Sequence, residues 1–168
     1  MRWKAEQRLF GAWLIMLAGS CTSSDPAAKP ISTNLSVSTY SLARERAGGD
    51  KNSGYYFPQL EIYNDAGILV YSSHDSSKNS VTIKRFPEGV EDLHPQEEAP
   101  RLKNVLAEIP AFRDKALDTA GQKKWTIISI ELDGCNGCDA QEQVLQQSLP
   151  RLTHQQSANI FEIHVSPF

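Results

Sequence analysis

The chain has 168 residues and a formal net charge of −3, with 22% charged and 40% hydrophobic residues. A chain of this length suits a single domain, and its hydrophobic content is sufficient for a core, which excludes wholesale disorder. The mildly acidic balance, without long basic runs, gives no electrostatic footprint for nucleic acid.

The N-terminus combines a positive start, a short apolar run and a cysteine. Arg2, Lys4 and Arg8 precede an uncharged, mostly apolar run, Leu9–Ala18. This run is shorter than the roughly 20 residues that span a bilayer as a helix, but it suits the hydrophobic region of a signal peptide. Two further small residues then lead to Cys21.

This segment resembles the signal peptide of bacterial lipoproteins, in which a small residue precedes a cysteine that is lipidated and becomes the mature N-terminus. The resemblance implies that residues 1–20 are removed and that Cys21 carries the lipid anchor. Residues 21–34, rich in Ser and Pro, are predicted to be a flexible tether before a domain of residues 35–168. By the same resemblance, Thr22 favours the outer membrane, with the domain facing the oxidising periplasm of the cell envelope. The alternative is an ordinary cleaved signal peptide in which Cys21 has no role.

The first half of the domain contains β-prone segments. An alternation of apolar and polar residues over 35–40 predicts a short strand, and the glycine-containing stretch 43–54 predicts a loop. Residues 60–63 and 68–71 flank an Asn-Asp-Ala-Gly turn and predict a β-hairpin.

Three further segments precede the cysteine pair. Residues 72–80 predict a solvated loop in which His74 is a surface residue, and Val81–Phe86 predicts a third strand. Apolar residues at three- and four-residue spacing over 102–109 predict an amphipathic helix, which Pro110 should end or kink. A second helical piece is predicted beyond this proline.

The chemistry-bearing segment follows. Residues 125–132, WTIISIEL, are continuously apolar and β-prone, which suits a central strand covered on both faces. Cys135 and Cys138 come directly afterwards, followed by a helical pattern over 140–149 and a strand pattern over 160–165. The sequence therefore predicts a βαβ unit with a CxxC pair at the carboxyl end of its first strand.

The position of the pair has a chemical reason. The positive end of a helix macrodipole favours a negative group. It should therefore stabilise the thiolate of Cys135, which is the reactive form. Cys138, one turn further in, is close enough to attack a mixed disulfide formed by Cys135. Asn136 is predicted to cap the helix with its side chain, and Gly137 to relax the turn.

The unit from Trp125 to Val165 resembles the thioredoxin-like family, whose redox-active CxxC opens a helix after a central strand. The resemblance implies an α/β fold with a mixed sheet and flanking helices. It also implies that Cys135 is the nucleophile and Cys138 the resolving thiol. No organic cofactor is implied, and the implied partners are protein dithiols or disulfides together with a redox protein that recycles the pair.

The chain departs from the family pattern at several points. Gly134 stands where many thioredoxins have an aromatic residue, and Asp139 adds negative charge beside the pair. The family also continues with a cis-proline strand, a hairpin and a last helix. Either the upstream segment 57–63, its hairpin and the helix after Pro100 supply these parts in permuted order, with Pro58 as the cis-proline, or the fold is truncated.

These features predict a membrane-anchored thiol–disulfide oxidoreductase acting on periplasmic proteins. One alternative is a non-catalytic envelope lipoprotein subunit in which the Cys135–Cys138 disulfide is structural. Another is a Cu(I) or zinc site at the dithiol. Zinc would need further ligands, and the candidates His154 and His164 are more widely spaced than the usual three to five or so residues. The aromatic group over residues 55–63 is interpreted as core packing rather than as a partner-binding ledge.

Overall fold

The computed structural model describes residues 29–49, 55–91, 93, 95–113, 125–155 and 158–167. Cys21 and the predicted signal peptide lie outside these residues. Of the second helical piece predicted after Pro110, residues 110–113 are helical and the rest lies outside the described residues. Within the described part, one five-stranded sheet forms the centre of the fold. Its strands are β1 Ile31–Ser36, β2 Gln59–Asn64, β3 Leu69–Ser73, β4 Trp125–Leu132 and β5 Ala158–Ser166.

Helices flank the sheet on both faces. None of those in the described part of the chain has the length and apolar character needed to cross a membrane. A single π-helical turn, Arg151–Gln155, follows the last of them. The helices are α1 Val37–Arg46, α2 Ser76–Arg85, α3 Leu102–Glu108 and α4 Cys138–Pro150.

The strands are arranged in the order β1-β5-β4-β2-β3. β4 pairs in parallel with β5, which pairs in parallel with β1 on its other side. β2 is antiparallel to both β4 and β3. The hairpin therefore completes the sheet beside the strand that leads to the cysteines, and the predicted mixed α/β sheet with flanking helices is confirmed.

Two apolar cores cover the two faces of the sheet. Ile128 and Ile130 of β4 face a core built with α1 and α3. Ile127, on the opposite face of β4, packs in a second core with side chains of α2 and α4. The prediction that residues 125–132 form a central strand buried on both faces is confirmed.

A buried ion pair secures α1 to the sheet. Arg44 donates to both carboxylate oxygens of Glu61, over 2.9 and 2.7 Å, and the Tyr63 hydroxyl donates to the same carboxylate over 2.8 Å. Gln59 supplies a further hydrogen bond of 2.9 Å. These hydrogen bonds satisfy the fully buried Glu61 carboxylate. Because the partners come from α1 and β2, the same bonds join the helix to the sheet.

The start of the domain differs from the prediction. β1 begins at Ile31, inside the segment predicted to be a tether, and ends at Ser36. The Ser36 hydroxyl accepts a hydrogen bond from the backbone N–H of Thr39 over 3.2 Å and begins α1. Residues 37–40 are therefore helical rather than extended, and α1 also takes in residues 43–46 of the predicted loop. A serine N-cap outweighed a short β-like alternation.

The predicted strand Val81–Phe86 is wrong, because α2 occupies this region. The Asp75 carboxylate accepts hydrogen bonds from the N–H groups of Ser77 and Lys78 over 2.9 and 3.1 Å, which begins the helix inside the predicted loop. Ile83 is buried in the second core, whereas Val81 is 53% exposed. Burial follows the helical period of 3.6 residues, not the strand period of two.

Substitutions at these two positions distinguish the helix from the predicted strand. Ile83→Ala should lower the free energy of unfolding by about 2–5 kcal/mol, because it leaves a cavity in the core. Val81→Ala should change it by no more than about 0.5 kcal/mol, because Val81 faces solvent. Urea denaturation followed by circular dichroism measures both. Equal losses would contradict the helix, since both side chains would share one face of a strand.

Candidate functional site

Cys135 and Cys138 form a disulfide at the junction of β4 and α4, with their Cα atoms 5.6 Å apart. The chain turns sharply there, since the N–H of Cys135 donates to the carbonyl of Leu132 over 3.0 Å. Cys135 is half-buried, whereas Cys138 is only 4% exposed. Cys135 is therefore the more accessible residue of the pair.

Gly137 makes this turn possible. Its φ angle of +94° lies in the left-handed region, and it is the N-cap residue of α4. A Cβ atom at this position would lie 2.8 Å from the Ser76 hydroxyl oxygen, so the dithiol turn packs directly against the start of α2. The predicted cap by the Asn136 side chain is wrong: Asn136 is exposed, and α4 has no side-chain cap. The close turn places a glycine, not Asn136, at the capping position.

Pro58 lies at the same end of the sheet as the dithiol. It immediately precedes β2, where Gln59 is paired with Ile130 of β4, so the antiparallel register carries Pro58 toward the end of β4. Pro58 is buried, and the Phe57–Pro58 peptide bond is cis. The start of β2 and the end of β4 are thus adjacent.

A buried polar layer lies between the sheet and the helices behind the dithiol. Gln141 of α4 donates to the Ser129 hydroxyl over 2.9 Å and to the carbonyl of Gln59 over 3.2 Å. Asn79 of α2 donates to the Gln141 side-chain oxygen over 2.7 Å. These contacts connect α4 with β4, β2 and α2, so the helix that carries Cys138 is held in one position.

Glu131 completes this layer. It is 6% exposed and accepts a hydrogen bond of 2.9 Å from the Ser129 hydroxyl. Burial raises the pKa of Glu131 to about 7; the hydrogen bond from Ser129 lowers it in part, and the charges of Glu142, Glu162 and Asp139 raise it further. The carboxyl group is therefore partly protonated near neutral pH.

Glu131 is not among the site residues that the motif predicts, although the sequence carries a signal for it. It is the charged residue in the otherwise uncharged run of residues 125–132. His164 is paired directly with it on β5, and the His164 Nδ1 lies 4.0 Å from the Glu131 Oε2. A carboxylate in a continuously apolar strand must lie inside the fold, which is the condition that shifts its pKa.

The candidate zinc ligands are not brought together. His154 is exposed in the π-helical turn before β5, and His164 lies near the opposite end of that strand. Across the described ranges, no group of three or more His, Cys, Asp or Glu side chains is placed to hold a metal ion. The four-residue set of Cys135, Cys138, His154 and His164 is therefore not a site in this structure.

The aromatic residues before and within β2 divide into two groups. Tyr63 is fully buried, and Tyr55 and Phe57 pack against the first core, as predicted. Tyr56 is 64% exposed, and its ring centroid lies 5.0 Å from that of His74, which is a surface residue as predicted. The interpretation as core packing is wrong for Tyr56.

No protein-family model, curated protein or solved structure matches the chain. The CxxC disulfide and the mixed five-stranded sheet are compatible with a thioredoxin-like fold. A disulfide of this kind suits either a redox or a structural role.

The shifted pKa of Glu131 predicts a specific pH dependence of stability. The folded pKa of about 7 exceeds the ordinary value of 4.5, so the folded state keeps its proton while the unfolded chain loses it. The contribution of Glu131 to stability should therefore be largest at acidic pH and fall as the pH rises from about 4.5 to about 7. Glu131→Gln removes this fall, so the variant should gain stability relative to the unsubstituted protein between pH 5 and pH 8.

Urea denaturation at intervals across that range measures the difference, and other titrating groups cancel between the two proteins. Glu88→Gln, which changes an exposed carboxylate that is not among the charges acting on Glu131, is the matched control and should show little of the effect. Parallel stability profiles for Glu131→Gln and the unsubstituted protein would contradict the raised pKa.

Proposed function

We propose that the protein is a thiol–disulfide oxidoreductase with a permuted thioredoxin-like domain. The observation that carries the proposal is the unequal exposure of the pair: Cys135 is half-buried, and Cys138 is 4% exposed behind it. An exchange reaction needs one sulfur that reaches a partner and a second that reacts only with the first. Cys135 is the nucleophile in this mechanism, and Cys138 is the resolving thiol.

The order of the elements supports permutation over truncation. In the family, a cis-proline strand, a hairpin and a last helix follow the CxxC unit. Here the hairpin of β2 and β3 and then α2 precede that unit in the chain, yet β2 pairs directly with β4. Pro58, immediately before β2, occupies the cis-proline role. The helix in the last position is α2, which directly follows the hairpin, rather than the helix after Pro100.

The proposed reaction transfers two electrons from the dithiol to a substrate disulfide. The Cys135 thiolate attacks one substrate sulfur, a new S–S bond forms, and the substrate disulfide breaks to release its second sulfur, which takes up a proton. The Cys138 thiolate then attacks the Cys135 sulfur and releases the first substrate sulfur as a thiol. The reverse sequence oxidises a substrate dithiol, and the relative reduction potentials decide the direction.

Glu131 influences the second step. Its carboxyl group lies on the sheet face that α4 covers, and Asp139, next to Cys138, is among the charges that raise its pKa to about 7. The carboxylate is therefore within electrostatic range of the turn that holds the resolving thiol. Its charge near neutral pH affects how readily Cys138 loses the proton that it must lose before it attacks.

A purely structural disulfide is the main competitor. Closing a loop this small removes little conformational entropy from the unfolded chain, about 2 kcal/mol compared with about 3 kcal/mol for a 15-residue loop. A disulfide between segments that are distant in the chain removes more of this entropy and therefore stabilises the folded state more. The half-buried position of Cys135 is likewise unnecessary for a bridge whose only role is stability.

The proposed location is the outer membrane, with a lipid anchor on Cys21 and the domain facing the periplasm. The N-terminal sequence pattern supports it. Disulfide exchange suits an oxidising compartment. The proposed partners are periplasmic proteins with dithiols or disulfides and a redox protein that regenerates the pair.

Substitution of the resolving thiol should trap reaction partners. Cys138→Ser leaves Cys135 unable to complete the exchange, so mixed disulfides through Cys135 should accumulate in the periplasm of a Gram-negative host. Non-reducing gel electrophoresis after acid quenching measures them. Cys135→Ser is the matched control and should accumulate few, because its remaining thiol is buried.

Alkylation of the reduced protein provides the second readout. At neutral pH, iodoacetamide should modify Cys135 at least about tenfold faster than Cys138, because the more accessible thiol reacts as the thiolate. Absence of adducts in Cys138→Ser, together with a Cys135 that alkylates no faster than free cysteine, would reject exchange and leave the structural disulfide.

The lipid anchor has an independent test. Cys21→Ser should release the full chain from the membrane fraction and abolish incorporation of labelled palmitate in a Gram-negative host, because the acyl chains supply the membrane affinity. Ser20→Ala is a neighbouring control and should retain both. Unchanged membrane association and labelling in Cys21→Ser would contradict the lipoprotein assignment.

A further inference from the structure

The surface around the reactive sulfur has a distinctive composition, and we call it the dithiol face. It consists of Tyr56, His74, Asp133, Cys135 and Asp139. These residues come from three chain segments at the same end of the sheet: the segment before β2, the residue after β3, and the turn after β4 with the first turn of α4. The antiparallel pairings of β2 with β3 and with β4 bring these segments side by side.

The aromatic part of this face is open to solvent. Tyr56 is 64% exposed, and its ring lies 5.0 Å from the His74 ring with a tilt of 32° between the two planes. The chain leads from His74 to Ser76, which contacts Gly137 between the two cysteines. An exposed ring steadied by a second ring offers a flat surface on which a guanidinium group can stack within about 6 Å.

The charged part of the face is negative. Asp133 and Asp139 are exposed, and within the described ranges no lysine, arginine or histidine forms an ion pair with them. Lys78, on the neighbouring first turn of α2, lies 4.0 Å from Asp75. The charges beside the cysteines are thus available to a partner.

The negative charge of the dithiol face makes the Cys135 thiolate less favourable in the free protein. Carboxylates beside Cys135 oppose formation of its thiolate, against the favourable effect of the positive end of α4. A partner that brings positive charge would neutralise these carboxylates as it docks, and would promote the thiolate at that moment. Docking and activation of the nucleophile would then be one event.

Resting on the proposed function, we propose that the protein disulfides that react at Cys135 lie in basic segments. An arginine beside the substrate cysteine stacks on Tyr56, and its charge is matched by Asp133 and Asp139. The covalent step is unchanged: the Cys135 sulfur bonds to a substrate sulfur as the substrate disulfide breaks. The basic side chain selects the substrate and stabilises the attacking thiolate.

Three disulfide probes test this in the reduced full-length protein. Two are symmetric disulfides of the peptides Gly-Arg-Cys-Arg-Gly and Gly-Glu-Cys-Glu-Gly, and the third is neutral 2-hydroxyethyl disulfide. Each rate is divided by the rate of the same probe with 2-mercaptoethanol, a neutral thiol, which removes the intrinsic reactivity of the probe. The Arg peptide should then react about tenfold or more faster than the Glu peptide at low salt, and the ratio should approach one at about 0.5 M salt.

Substitutions on the dithiol face test whether this surface causes the preference for the Arg peptide. In the double variant Asp133→Asn with Asp139→Asn, the Arg-to-Glu ratio should fall to within about twofold. Tyr56→Ala should reduce the rate with the Arg peptide relative to the neutral probe, and Tyr56→Phe should restore it. Glu88→Gln, a change at an exposed carboxylate paired with Arg85 on another part of the surface, is the control and should keep the ratio.

The outcomes separate the two proposals. Equal normalised rates for the Arg and Glu peptides, or a preference for the Glu peptide, would overturn the basic-segment inference while reaction with the neutral probe upholds exchange. A ratio that survives in the double variant would also overturn it. No reaction with any probe, the neutral one included, would overturn the proposed function and this inference with it.

Discussion

The burial of β4 is the constraint on which the rest of the structure depends. β4 pairs with β5 on one side and β2 on the other, and apolar cores cover both of its faces. A strand held on all four sides has a fixed direction and register. Its end therefore presents the CxxC turn at a defined point, beside the start of β2 and against the start of α2.

The polar layer behind the dithiol fixes the orientation of α4 against the sheet. Gln141 and Asn79 join α4 to β4, β2 and α2 through hydrogen bonds that are shielded from water. Buried polar groups are favourable only when their partners are complete, and the buried side chains of the described residues are all satisfied. Glu131 occupies the same layer with a pKa raised by burial to about 7. One layer thus both positions the helix and places a titratable group near the resolving thiol.

The two cysteines meet different surroundings, and that difference links structure to the proposed chemistry. Cys138 lies inside α4 with almost no exposure, while Cys135 lies in the turn before the helix. The exposed Asp133 and Asp139 lie on either side of the pair in the chain, and Tyr56 with His74 offers an exposed aromatic surface at the same end of the sheet. These carboxylates would disfavour a Cys135 thiolate in the free protein. A basic partner would offset their negative charge when it docks.

The sequence by itself determined the parts of the fold whose signals are local. The apolar run of β4, the CxxC pair, the hairpin turn and the periodicity of α3 and α4 identified those elements, and the motif identified Cys135, Cys138 and the candidate Pro58. Tertiary structure alone decided whether Val81 and Ile83 belong to a strand or a helix, because short β-branched segments satisfy both periods until a core selects one face. It also decided the positions of Glu131, Gln141 and Tyr56. The apolar neighbours of Glu131 indicate only that it is buried. Strand register and the meeting of distant segments set the surroundings of all three side chains, and neither is encoded in residues that are neighbours along the chain.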